Sequence, residues 1–242
     1  MCAVNFLLHR HLGEAHLGSR AAGAGAMLPD LWRMADRRVR PRVAEAAKEP
    51  ADGPLAETLA GIAHHVAIDR WFHENAVFVE GERLVAARMR EAGVEAGRMG
   101  LLAHVTWEMC LDGALLRRVG LEETLEALRE GFGAIEGDAE RRAAERHHFN
   151  HIERGEEARA AFEARMKRLR EEIARGPWIE GYRHGEGLAL RVTGVRVRLG
   201  LSVLDERDRE RLARALDGVM GEADRAVEEI LGRETPMISS PR

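Results

Sequence analysis

The 242-residue chain predicts an all-α fold, and three observations carry that expectation. Its seven prolines stand at 29, 41, 50, 54, 177, 236 and 241, which leaves Leu55 to Gly176 without the residue that most disrupts a helix interior. Hydrophobic residues reach 45% while aromatic ones reach only 5%, enough to fill a core but with few of the side chains that favour strands. Apolar residues in the central span recur at intervals of three and four, the helical period. A chain of this length buries a substantial core without disulfides or structural metals, so one helical domain over 1–232 is expected. Its core should occupy roughly residues 1–120, with a helical C-terminal extension over 121–232 packed against it.

Taken in order, the first apolar stretch runs from Val4 to Leu8 and is broken at His9, Arg10 and His11. That is too short for a membrane span or the apolar core of a signal peptide. Small residues then lead an apolar helix to Gly25-Ala-Met-Leu-Pro-Asp30, where Asp30 reads as an N-cap for the next segment or as a carboxylate aimed into a pocket. Asp36 to Pro54, with three prolines and a glycine, reads as a connecting loop. Leu55, Leu59, Ile62, Val66 and Ile68 mark one buried helix, and Leu101, Leu102, Val105, Met109 and Leu111 another, with a turn over Gly93 to Gly100 between them. Asp138 to Arg175 is crowded with pairs such as Glu163 with Lys167 and Arg168 with Glu172, so it predicts one long solvated helix. Val192 to Val203 alternates Val, Arg and Leu as a strand would, and strand and helix both fit it. Leu204 to Leu231 returns to the helical pattern with Asp205 as its N-cap, and 233–242 lacks the apolar content to pack, which predicts a disordered tail.

Charge narrows the partners. With 41 acids against 37 bases the net charge is −4, which argues against a generally basic surface built for nucleic acid phosphates. Cys2 and Cys110 share no metal-type spacing and imply no disulfide framework, so a soluble protein of the reducing cytoplasm, without a membrane partner, is expected.

The chemistry lies in the histidines and carboxylates of the apolar helices. His65, Asp69 and His73 are four residues apart and stack along one helix face, and His104, Glu108 and Asp112 repeat the arrangement. Burying several ionisable groups without partners is costly, whereas a divalent cation compensates carboxylates and takes neutral imidazole directly. Two such helices face to face would form a metal pocket. His9 and His11, two apart, point to different faces, so at most one lines that site. His147, His148 and His151 lie beside Arg146 and Arg154 and read as exposed helix rather than as a separate zinc site.

Three segments carry a family resemblance: Asn5-Phe-Leu-Leu-His-Arg-His-Leu12, Gly25-Ala-Met-Leu-Pro-Asp-Leu31 and Gly61-Ile-Ala-His-His-Val-Ala-Ile-Asp69. In order and spacing they resemble the acyl carrier protein phosphodiesterase family, which opens on an Asn-Phe-Leu-Ala-His type segment. That family continues through Gly-Asn-Leu-Leu-x-Asp to a Gly-Ile-x-x-His-Arg-x-Ile-Asp helix. A fainter likeness extends through Trp107, Trp178 to Tyr182 and Gly194. The departures are specific. Val66 replaces an arginine, and His73 stands where the family usually has Asp. In the later Asp-x-x-Tyr/Trp-Asp-His segment, His104, Glu108 and Met109 replace the Asp, Asp and His.

The resemblance implies an HD-domain-like helical bundle and a manganese-dependent hydrolase that removes 4'-phosphopantetheine from holo-acyl carrier protein. It implies Asp30, His65, Asp69 and Glu108 as ligands of Mn²⁺ or another divalent metal. His104 and His73 then complete the coordination or protonate the departing serine oxygen. Arg33, Arg37 and Arg38, in a basic run with Arg40 and Arg42, would attract the acidic carrier protein. The alternatives are an HD-like phosphohydrolase acting on a small-molecule phosphoester, or a non-catalytic helical binding protein that has lost the metal.

Overall fold

A computed structural model describes residues 5–48, 50–94, 97–147 and 155–232, and within them the chain is helical with no strand. The helices are α1 (Phe6–Leu17), α2 (Arg20–Ala35), α3 (Val43–Ala46), α4 (Gly53–Glu74), α5 (Ala76–Glu91), α6 (Met99–Val119) and α7 (Leu121–Ile135). They continue as α8 (Asp138–His147), α9 (Glu156–Arg175), α10 (Pro177–Glu180), α11 (Gly185–Arg198), α12 (Glu206–Asp217) and α13 (Met220–Gly232). A 3-10 turn, Gly181–Arg183, links α10 to α11.

Local chemistry sets several boundaries. The Ser19 side chain accepts from the Ala22 amide at the start of α2, Asn75 does the same for Val77 in α5, and Asp205 for Asp208 in α12. Pro54 sits in the first turn of α4, where its missing N–H costs no helical bond. Gly18 closes α1 in the left-handed conformation, φ 67°, with its N–H returned to the Glu14 carbonyl.

α1 packs on α2, α2 on α4, and α6 lies between α5 and the C-terminal α13. The C-terminal helices are joined to the N-terminal ones by one continuous apolar cluster that runs from Phe6 to Ile230. Trp32, Trp107 and Tyr182 are among its largest fully buried side chains. None of the described helices is long and apolar enough to cross a membrane.

One open choice is decided and three local expectations change. Val192 to Val203 is helical through Arg198, because Leu188, Ala189, Val192 and Val195 recur at helical spacing and pack on α12. The Val-Arg alternation is too short to override that face. Among the described residues the stretch from Asp138 to Arg175 is not one helix: α9 begins after the extended Gly155 and is separate from α8. The loop from Asp36 to Pro54 carries the short α3. Asp30 does not cap a helix; it lies inside α2, one residue after Pro29. His148, His151 and the expected tail 233–242 lie outside the described residues.

Candidate metal centre

The site begins where α2 and α4 touch backbone to backbone. A Cβ on Gly61 would come 2.0 Å from the Ala22 carbonyl oxygen, and one on Gly25 would come 2.3 Å from that of Thr58. Only glycine permits this approach at both positions. The next turn of each helix presents a functional side chain, Asp30 on α2 and His65 on α4. The Asp30 Oδ1 atom stands 3.8 Å from His65 Nε2. The other ring nitrogen, His65 Nδ1, is 2.8 Å from the Ala26 carbonyl oxygen and donates to it, so Nε2 faces Asp30 as a lone pair. That second-sphere arrangement typifies a metal-ligating imidazole.

The α1 helix adds a third element. Its buried His9 ring lies 4.0 Å from that of His65, centroid to centroid, and edge-on to Phe72. His9, His65 and Asp69 each offer a ligand atom, and these atoms lie within 4.8 Å of one another. Asp112 on α6 positions α1: its Oδ2 accepts from the Leu7 amide at 3.1 Å and its Oδ1 from Leu8 at 2.9 Å. Asp112 thus satisfies the open amides at the head of the helix that carries His9.

Electrostatics suit a cation. Burial pushes His9 well below its ordinary value, with His65 adding to the effect, and pushes His65 down to about 4. Both imidazoles are therefore neutral at pH 7, the form that binds metal. Burial would raise Asp69, but the hydrogen bond from His73 and the nearby His9 and His65 outweigh it and hold Asp69 at about 2. Burial, then the neighbouring Glu108, Asp69 and Asp112, drive Asp30 well above the usual carboxylate range. Asp30 Oδ2 and His9 Nδ1 are buried with no hydrogen-bond partner among the described residues. Two neutral imidazoles and an ionised carboxylate form a donor set that fits a divalent cation, with the Asp30 carboxyl, short of partners, beside His65.

A second cluster adjoins the first through Asp69, whose Oδ1 lies 3.3 Å from His73 Nε2. The His73 ring stacks on His104 at 4.8 Å and 15°, and Phe78 packs edge-on against both. His104 is gripped from two sides: Nδ1 bonds Glu82 of α5, and Nε2 lies 3.2 Å from Glu108 Oε1. Burial lowers His104, but these two carboxylates prevail and raise it to about 9, so it is an imidazolium at pH 7. The Asp69 contact likewise raises His73. Trp107 closes the floor here, its indole occupying the place a side chain at Gly81 would take.

Thus His65 and Asp69 come together with His9, while Asp30 approaches His65 and is not among the atoms that lie within 4.8 Å of one another. Glu108 stands instead with His104, and Asp112 serves α1. Arg33 is near enough to act on both Asp30 and His65. The rest of the basic run is engaged within the protein: Arg37 reaches across to donate to the Arg198 carbonyl, Arg38 bonds Asp36, and Arg40 donates to the carbonyls of Arg37 and Val39. The Arg42 amide donates to Nδ1 of the buried His147. Of the pair His9 and His11, of which at most one is expected to line the site, it is His9 that does so. One participant escaped the sequence reading: Glu82, on a charged amphipathic helix, had no local signal. No family model, curated protein or solved structure matches the chain.

Proposed function

We propose that the chain is a divalent-metal-dependent phosphodiester hydrolase with an HD-like helical core. We further propose that it acts in the cytoplasm to remove 4'-phosphopantetheine from holo-acyl carrier protein. The observation that carries this reading is the meeting of His9, His65 and Asp69, from α1 and α4, within 4.8 Å, with Asp30 of α2 3.8 Å from His65. These four residues would hold the cation. A divalent cation there, Mn²⁺ in the family the sequence resembles, would supply Lewis acidity to a phosphoester oxygen and acidify water.

The protein's own groups do the rest. The Ala26 carbonyl fixes the His65 tautomer, and Asp112 fixes the helix carrying His9. His73 is the more open of the stacked imidazoles, with its side chain 37% exposed against 11% for His104. His73 is therefore placed to give its proton to the departing serine oxygen. His104, kept charged by Glu108 and Glu82, stacks flat against the His73 ring and holds it in place. Arg33, Arg37 and Arg38 lie along and just beyond α2 and would draw an acidic carrier toward the site.

The test couples metal content to chemistry. Purified chain loaded with Mn²⁺ should retain bound metal and release the prosthetic arm from holo-carrier protein faster than it cleaves nucleotide or simple aryl phosphodiesters. His65→Ala and Asp69→Ala should lose both metal and turnover while keeping helical circular dichroism. Full turnover in Asp69→Ala would reject the site. Preference for a small phosphodiester would retain the metal chemistry and reject the carrier protein as substrate.

A further inference from the structure

Four large hydrophobic residues are exposed among the described residues, and three of them, Leu190, Val197 and Val203, belong to α11 and the segment just after it. Leu190 is 56% exposed, Val197 52% and Val203 66%. At about 100° per residue, Leu190, Gly194 and Val197 fall within roughly 60° on one side of the helix. A Cβ at Gly194 would meet nothing within 4 Å, so the middle of the strip is open. The opposite side of α11, with Leu188, Ala189, Val192 and Val195, is fully used in the core. The helix is therefore apolar on two faces, one of them facing solvent.

One border of the open strip is basic and held in place. The Arg191 guanidinium donates to the Trp178 carbonyl at 3.1 Å and lies 5.6 Å from the centre of its ring. Arg198 follows two turns later on the same border, and its carbonyl accepts from Arg37 at 3.2 Å, which adds a third guanidinium. Glu186 lies one turn before Leu190 on the same side of the helix, at its first turn and near its positive end.

We propose that this face of α11 docks an acidic amphipathic helix of a partner protein. The partner's apolar side covers Leu190, Gly194 and Val197, and its carboxylates lie along Arg191, Arg198 and Arg37. The 14 residues of α11 span about 21 Å, which matches a partner helix of about four turns. Charge complementarity selects this occupant. Antiparallel pairing of two copies of α11 would set the arginine border against itself. A membrane-seated helix carries a broader apolar face with aromatic anchors, and this strip has none. The proposal stands independently of the metal reading.

The test uses the full chain and a fluorescently labelled, helix-stabilised peptide of about four turns. The peptide has leucines on one face and glutamates on its borders, and a control carries lysines in place of the glutamates. The acidic peptide should bind at least about tenfold tighter than the lysine peptide and weaken in high salt. Val197→Asp and Leu190→Ser, both at solvent-facing positions, should lose about tenfold while circular dichroism is unchanged. Arg198→Glu should narrow the preference between the two peptides. Equal binding of the peptides, no binding, or binding indifferent to Val197→Asp would overturn the proposal. So would a dimer of the chain, or sedimentation with phosphatidylserine vesicles, that Val197→Asp abolishes.

Discussion

His65 combines two preparations for a cation: one nitrogen is committed to the Ala26 carbonyl, and burial keeps the ring neutral. The same burial makes the protein acid-sensitive. His64, His65 and His147 are each lowered to about 4, against about 6.5 in an unfolded chain. Between those values the unfolded chain binds more protons, so stability is full above pH 6.5 and falls as pH drops toward 4. Each histidine contributes on the order of 3 kcal/mol at most. Urea midpoints of metal-free protein should fall steeply across that window, and His147→Asn should flatten the fall. His104 has the opposite sign. Raised to about 9, it stabilises fully below pH 6.5, and that contribution is lost as pH climbs through 9. Glu82→Gln should cost about 1–2 kcal/mol near pH 7 and move the alkaline loss to lower pH, read from denaturation at a series of pH values. Asp30, driven above the usual carboxylate range, should release its proton when metal enters, and calorimetry in buffers of different ionisation enthalpy checks this. The spacing of His65, Asp69 and His73 was legible because one helix generates it. The bonds of His104 to Glu82 and of Asp112 to Leu7 cross between helices, and no local pattern encodes such pairings.

At the scale of elements, the crossing of α2 over α4 decides whether the site exists. Gly61→Ala places a carbon against the Ala22 backbone, which cannot yield as a flexible side chain would. Overpacking of this kind costs about 1–3 kcal/mol or more. Thermal denaturation should register that loss, and metal affinity should fall with it, because Asp30 and His65 would move apart. Asp112→Ala should cost about 2–4 kcal/mol by leaving two amides at the head of α1 without their acceptor. Its effect on metal affinity should exceed that of a change of equal cost on α12, because α1 carries His9. Helix identity was readable from the proline-free span and the apolar period, and the Asp205 cap from its position. The Val-Arg alternation at the end of α11 left helix and strand open because both helix faces there carry valine, one of them turned to solvent.

Across the whole molecule, one apolar core joins α1 to α13, so a ligand bound near α1 stabilises the C-terminal helices as well. Mn²⁺ at about a hundredfold over its dissociation constant should add about 2.7 kcal/mol to unfolding, and Asp69→Ala should abolish the increment. The all-helical class followed from composition and periodicity, whereas the packing of α12 on α5 and of α13 on α6 arises from long-range burial that neither reveals. The anchoring of α1 by Asp112 has a consequence for biosynthesis. All four proposed metal-holding residues lie within the first 69 positions, yet the helix bearing His9 waits for a carboxylate more than a hundred residues downstream of its own first turn. A nascent chain stalled before α6 emerges from the ribosome would carry every proposed ligand without the carboxylate that anchors α1, so the proposed site would take shape only once α6 has been made.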